Sequence, residues 1–288
     1  MLHTADADNR VLLRQIACLQ TIDASLLERL RHEALTVPDE RAWVDEYSKF
    51  QSGGWSTLSL LNDSGSPGDV RIRDCNPIET TLLQRMPVTR NFLESLGIRY
   101  MWVRLARLRP NSFLWEHRDY NELNGSERQR LHIPLMTNSS ASLVTGGVRV
   151  HLRPGRLWRL APTHVHGACN LLGPDRYHLL LDCYSDDRLA ELTANEWLDR
   201  DDVVIMPSAA DSELERHRQK ALSLARLGYS QSAEKYLLRL FYEHALPEGR
   251  IYDLIASLYD ELGDGDMAGE WRGNKLTLLG VAGSRGAA

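Results

Sequence analysis

His117-Arg118-Asp119 sets an imidazole and a carboxylate two residues apart, at the end of Phe113-Leu114-Trp115-Glu116, a run that reads as a strand. Alternate residues of a strand project from one face, so the two groups can reach one ion together. A third ligand must come from a distant strand. Thr163-His164-Val165-His166-Gly167-Ala168-Cys169-Asn170 offers two histidines for it, again two residues apart, and extended geometry alone leaves both open. Two histidines and one carboxylate on one side of a metal leave positions for further ligands, oxygen among them, and the absence of clustered thiolates argues against zinc in a cysteine cage. Ten residues beyond His166, Arg176 opens the apolar run Arg176-Tyr177-His178-Leu179-Leu180-Leu181-Asp182. A planar guanidinium grips a carboxylate through two parallel hydrogen bonds, which lysine cannot reproduce.

In this order and on alternating strands, His117, Asp119, His166 and Arg176 resemble the set of oxygenases that use iron(II) and 2-oxoglutarate. More narrowly, the chain is similar to the aspartyl/asparaginyl β-hydroxylase-like family and, within it, to the bacterial proline cis-hydroxylases. Four patterns between about residues 98 and 184 carry the likeness. They are Arg104-Leu105-Ala106-Arg107-Leu108 leading to His117-Arg118-Asp119-Tyr120-Asn121-Glu122-Leu123; Arg130-Leu131-His132-Ile133-Pro134-Leu135-Met136-Thr137-Asn138; Gly155-Arg156-Leu157-Trp158-Arg159-Leu160 followed by His166; and Arg176 to Asp182.

The resemblance implies that His117, Asp119 and His166 bind iron(II), that Arg176 holds the far carboxylate of 2-oxoglutarate, and that Arg130 and His132 touch its metal-chelating carboxylate. The family's spacing to the arginine, with Asn170 four residues after the histidine, favours His166 over His164. The mammalian type has glycine in place of the carboxylate ligand, so Asp119 points to the bacterial amino-acid hydroxylase branch and away from halogenation. The implied reaction is hydroxylation of an unactivated C–H of a free amino acid or close derivative, in small-molecule or natural-product metabolism, with release of succinate and CO2. Two alternatives are the same chemistry on a peptide or carrier-protein-tethered residue, and a non-catalytic interaction protein, against which the intact ligand set speaks. An amino-acid substrate needs a cation for its carboxylate. Arg104, Arg107 and Arg118 are the candidates, only one of Arg104 and Arg107 facing inward by parity, and Trp115, with Trp55 and Trp102, could line an apolar wall.

The elements that must position these residues are mainly β with flanking helices. Strand-like segments from Ile98 to Leu181 follow one another with polar turns and no intervening helix, which predicts an antiparallel closed or sandwiched fold. With the resemblance, this becomes a double-stranded β-helix (jelly-roll, cupin-like) barrel. Before it, helical spacing from Asn9 to Leu35 predicts two short helices broken at Thr21-Ile22-Asp23; the stretch from Tyr47 to Asn62 reads as Gly53-Gly54 and then a strand from Trp55; and a helix is expected from Pro77 to Leu96, stopped by Gly97. After Pro207, Leu227-Gly228 with Ala233 recurs as Leu262-Gly263 with Ala268 at an offset of 35 residues, which resembles a tetratricopeptide helical hairpin. The expected division is an oxygenase domain over 1-200 and a small α-helical domain over 207-280, followed by a small, polar tail.

Composition narrows the class. With 288 residues, 43% hydrophobic and 25% charged, the chain can bury a sizeable core. A net charge of -5 gives no basic footprint for nucleic acid. Cys18, Cys75, Cys169 and Cys183 have no CxxC spacing and read as free thiols; with acids in the first residues and no long apolar run, a cytoplasmic protein is expected. Oligomeric state is open.

Overall fold

The structure is a computed structural model that describes residues 11–45, 49–120, 123 and 127–280. Along the chain run β1 (Ile16–Thr21), α1 (Ala24–Thr36), β2 (Trp55–Asn62), β3 (Ile78–Glu79), α2 (Pro87–Leu96), β4 (Tyr100–Leu108), β5 (Ser112–Phe113), β6 (Arg128–Met136), β7 (Ala141–Thr145), β8 (Val148–Val150), β9 (Arg156–Leu160), β10 (His166–Asn170), β11 (Arg176–Tyr184), α3 (Asp187–Thr193), β12 (Val203–Ile205), α4 (Asp211–Arg226), α5 (Ser230–Arg239), α6 (Arg250–Leu262) and α7 (Gly265–Leu279). The strands form two antiparallel sheets, ordered β1-β9-β6-β11-β4-β2-β3 and β12-β8-β7-β10-β5.

Period-two alternation decides what each face of the larger sheet carries. Val103, Leu105, Leu131, Ile133, Leu179 and Leu181 bury themselves against Leu30 of α1 and Phe92, Leu93 and Leu96 of α2. The intervening residues are of another kind: Arg104, Arg130, His132, Arg176, His178 and Asp182 are all buried. Two helices therefore seal the greasy face, and the polar face turns inward. Glu33 ties the helices together: its buried carboxylate accepts from the amides of Val88 and Thr89, both at 2.8 Å, at the electropositive first turn of α2. Apolar contacts join the sheets, with Trp55, Ala106, Leu108 and Leu180 meeting Leu114 and Ala168, and Trp158 and Leu160 meeting Leu143 and Val150.

The C-terminal helices share a core with the smaller sheet instead of closing on themselves. Phe113, Val144 and Cys169 pack with Leu237, Phe241, Tyr242, Ile255 and Trp271 in one cluster. The 35-residue repeat corresponds to two helical hairpins. Gly228 and Gly263 take positive φ of 90° and 76° just after α4 and α6, where L side chains are strained, and Ala233 and Ala268 are fully buried.

Two expectations change. Residues 11–15 are helical, but Ile16–Thr21 is a strand paired with β9, not the rest of a first helix; Ile16, Ala17, Cys18 and Leu19 are all buried, and a short apolar run looks alike in a buried strand and a buried helix. The helix expected from Pro77 starts at Pro87, whose fixed φ and missing N–H suit a first turn, while Ile78 and Glu79 pair with β2; it ends at Gly97, φ 65°, as read. Between Asn138 and Arg149 lie β7 and the start of β8, joined at Gly146-Gly147 with φ of 55° and 75°, a hairpin turn that needs two positive-φ residues. Asn9, Tyr47, Asn121, Glu122, the Asn124-Gly125-Ser126 turn and the tail beyond Gly280 lie outside the described residues. No helix of the described residues is long and apolar enough to cross a membrane, and all four cysteines are free thiols.

Candidate active site

The segment after β5 runs antiparallel to β10, and this pairing assembles the ligand set. Leu114 donates to Ala168 O, His117 and His166 exchange both backbone hydrogen bonds, and Asp119 donates to Pro162 O, all at 2.9 Å. His117 thus stands opposite His166, with ring centroids 4.3 Å apart, and the Asp119 carboxylate lies 3.7 Å from His117 Nε2 and 3.3 Å from His166 Nε2. One ligand atom from each of the three residues falls within 4.8 Å of the others. His164, open in the sequence, is exposed; its carbonyl serves the site by accepting from His166 Nδ1 at 2.8 Å, as Trp115 O does from His117 Nδ1 at 2.7 Å. Each imidazole is thereby fixed as the tautomer whose Nε2 lone pair faces the other ligands.

The electrostatics suit a cation. Burial, with His166 close by, pulls the His117 pKa down to about 4, so the ring is neutral as a metal ligand must be. Burial opposes ionisation of Asp119, yet the Arg130 guanidinium and the two imidazoles hold its carboxyl well below the usual range.

Above this set lies a buried charge network on the inner face of the larger sheet. Asp182, fully buried, accepts from Arg104, from Tyr120 and, at 2.7 Å, from Arg130 Nε; Arg130 also donates to Asp119. Arg130 therefore reaches the metal ligand itself, and its second terminal nitrogen keeps an N–H without a partner among the described residues. His132 and His178 meet at 3.4 Å between their Nδ1 atoms; burial and the nearby arginines keep both neutral, and the Nε2 of each is without a hydrogen-bond partner among the described residues. Arg176 differs from its neighbours. It is 3% exposed, its Nε has no hydrogen-bond partner, no carboxylate among the described residues pairs with it, and burial drives its pKa down to about 10. A buried guanidinium with no counter-ion is a receptor for an anionic group. The residues present fit a divalent ion at His117, Asp119 and His166, and Arg176 can receive an anionic group.

The expected substrate contacts separate. Arg104 is inside, stacked on Trp102 at 3.6 Å and paired with Asp182. Arg107 is on the opposite face, paired with Glu40 and lying over Trp43, because an odd separation on a strand reverses direction. Arg118 points away from the metal and is taken up by Glu248 at 2.6 Å and Thr163 O at 2.8 Å. Trp115 stacks on Trp271 at 4.7 Å and so belongs to the contact with the C-terminal helices. Trp55 faces inward, its ring 5.6 Å from the Arg176 guanidinium. Three members of the site received no role from the sequence: Asp182 and His178, whose shared parity with Arg176 was the available signal, and Tyr120, which takes φ 65° to bring its phenol to Asp182.

This chain is similar to several known proteins. The family model for aspartyl/asparaginyl β-hydroxylases matches residues 24–186, more than half of the chain. L-proline cis-3-hydroxylase 1 of a Streptomyces species is 25% identical over 262 residues, covering 85% of this chain and 88% of that protein. L-proline cis-4-hydroxylase of Rhizobium meliloti (strain 1021) is 28% identical over 156 residues, 52% and 55% of the two chains. A 2OG-Fe(II) oxygenase family oxidoreductase of Burkholderia pseudomallei superposes with a TM-score of 0.45 at 16% identity, covering 63% of this chain and 90% of that one. The chain belongs to the aspartyl/asparaginyl β-hydroxylase family and is an enzyme of the hydroxylase class.

Proposed function

We propose that this enzyme hydroxylates an unactivated C–H of a free, proline-like amino acid or close derivative, on a double-stranded β-helix formed by the two sheets. In this reading residues 1–200 form the oxygenase domain, 207–280 form a helical unit that braces it, and the protein works in the cytoplasm. The relatives named as L-proline hydroxylases support the substrate class.

The observation that carries the proposal is the charge of the enclosed inner face. Among the described residues, Arg104, Arg130 and Arg176 are buried there facing Asp119 and Asp182, three positive charges against two negative, while His117, His132 and His178 are held neutral. A divalent iron raises the balance from +1 to +3, and the 2-oxoglutarate dianion returns it to +1. A substrate carboxylate finds a partner in the remaining positive charge, which favours a carboxylate-bearing amino acid over a neutral hydrocarbon, while the ammonium of the zwitterion leaves the net balance at +1.

Iron(II) with 2-oxoglutarate and dioxygen supplies the oxidation, releasing succinate and CO2. The chain's own residues place the reactants. His117 and His166 would hold the metal through Nε2, their rings oriented by the Trp115 and His164 carbonyls, and Asp119 would hold it through a carboxylate oxygen. Arg176 receives the far carboxylate of the cosubstrate in a dry surrounding, where a charge-assisted pair is strong. The free N–H of Arg130 and the Nε2 of His132 are placed for the near carboxylate. Arg104, stiffened by Trp102 and Asp182, is the substrate cation that remains on the inner face. Placement sets the outcome, because the C–H held nearest is the one oxidised.

The test is succinate formation by the anaerobically iron-loaded protein, exposed to air with a panel of amino acids including L-proline, with His166→Ala as control. Stimulation by one amino acid, absent in the variant, is expected. Tight 2-oxoglutarate binding with no stimulation by any free amino acid would overturn the free-substrate reading in favour of a peptide- or carrier-bound residue.

A further inference from the structure

Away from the iron centre, the helical unit assembles a second set of metal-ligating side chains that the hydroxylation does not use. Glu213 and His217 stand four residues apart on α4, one turn apart on the same face, and His244 arrives from the segment between α5 and α6. One nitrogen of each imidazole and one Glu213 carboxylate oxygen lie within 4.8 Å of one another, and the two rings meet edge to face with centroids 6.0 Å apart. Two further features separate this group from a chance surface cluster. His217 Nδ1 lies 2.6 Å from the Tyr236 phenol on α5, an outer partner that fixes the ring and leaves Nε2 for an ion. His244 Nδ1 is buried and has no hydrogen-bond partner among the described residues. Buried polar atoms without partners are rare, and an ion would give this one its missing contact.

We propose that Glu213, His217 and His244 form a zinc site that clasps α4 to the segment leading into α6. Two imidazoles and a carboxylate are ordinary zinc donors, a water completes the tetrahedron, and nitrogen donors rank zinc above iron(II) and exclude magnesium or calcium as natural occupants. The clasped segment braces the iron ligands from behind. Ala245 donates to Pro207 O at 2.9 Å, Glu248 pairs with Arg118, and the Gly249 amide donates to Glu116 at 3.0 Å, so the residues on either side of His117 are both held by it.

The experiment uses the full chain carrying H117A and D119A, so that the first centre cannot bind metal. After chelation and equilibrium dialysis against Zn2+ alone, one equivalent of zinc is expected to remain. Adding H217A or H244A should weaken retention at least tenfold, and the visible absorption of four-coordinate Co2+ in the same protein should vanish with it. Tyr236→Phe leaves all three ligands in place and should lower zinc affinity by about tenfold, a readout that stands if a histidine variant fails to fold. No zinc retained by the H117A/D119A protein, or retention unchanged by H217A, H244A and Y236F, overturns the assignment.

Discussion

Arg176 gives the sharpest test of how this site works, because the residue should be harmful to the empty enzyme. Burial lowers its pKa to about 10, with no carboxylate among the described residues to compensate. A shift of that size corresponds to about 3 kcal/mol at 1.36 kcal/mol per pKa unit. The sign follows from linkage. The unfolded chain binds this proton more tightly than the native one, so the cost is complete at every pH below about 10 and fades as pH rises beyond it. Arg176→Met keeps the volume and removes the charge, and should stabilise the cosubstrate-free protein by about 3 kcal/mol, within the range known for replacing buried ions with apolar residues. For a protein of this size that is roughly 5–10 °C in melting temperature. Wild type should recover a similar amount from 2-oxoglutarate, about 2.7 kcal/mol at a hundredfold its Kd, whereas the variant should gain little. Calorimetric melts of both proteins, anaerobic with iron(II), with and without 2-oxoglutarate, read all four values. A variant that melts below wild type without cosubstrate, or that responds to it as wild type does, refutes the argument that Arg176 is an unpaired receptor.

Other consequences can be checked alongside. Asp182→Asn removes the carboxylate between Arg104 and Arg130; the loss should be about 3–5 kcal/mol, with weaker iron(II) binding in anaerobic titration, and an unchanged melt would deny Asp182 its central place. Glu116, pushed up to about 7 mainly by burial, binds its proton more tightly folded than unfolded. Its contribution therefore falls as pH rises from 4.5 through about 7, by up to about 3 kcal/mol. Glu116→Gln, which still accepts from the Gly249 amide, should flatten stability between pH 5.5 and 8.5 in denaturant titrations; parallel profiles for the two proteins would contradict this. A Cβ at Gly167 would meet the Tyr242 hydroxyl and come within 2.8 Å of Phe241 Cε1. Gly167→Ala should accordingly cost about 1–3 kcal/mol through overpacking and disturb His166 next to it, seen as a lower melting temperature together with lost iron affinity.

Local order was legible where one strand carries its own instruction. On β4, β6 and β11 the alternation of leucine, isoleucine and valine with arginine, histidine and aspartate states that one face is greasy and the other polar, and the structure covers the first with α1 and α2. His117 and Asp119 share a face by spacing alone, and the recurrence of Leu-Gly and Ala at 35 residues states that the C-terminal helices come as two hairpins. What pairing across the chain decides was not legible. The choice between His164 and His166 depends on which residue of β10 stands opposite His117, a matter of register between distant segments. Ile16–Thr21 became a strand because β9 offered it an edge and the core took all its apolar side chains. Arg104 and Arg107 have the same charge and differ only in which face their parity gives them, while Arg118 and Trp115 were claimed by Glu248 and Trp271, residues more than a hundred positions away. Sequence spacing fixes directions along a strand; only the tertiary structure sets which charges meet, because a buried charge lies where its partners come from several strands at once, and Asp182 holding Arg104, Arg130 and Tyr120 is the case in point.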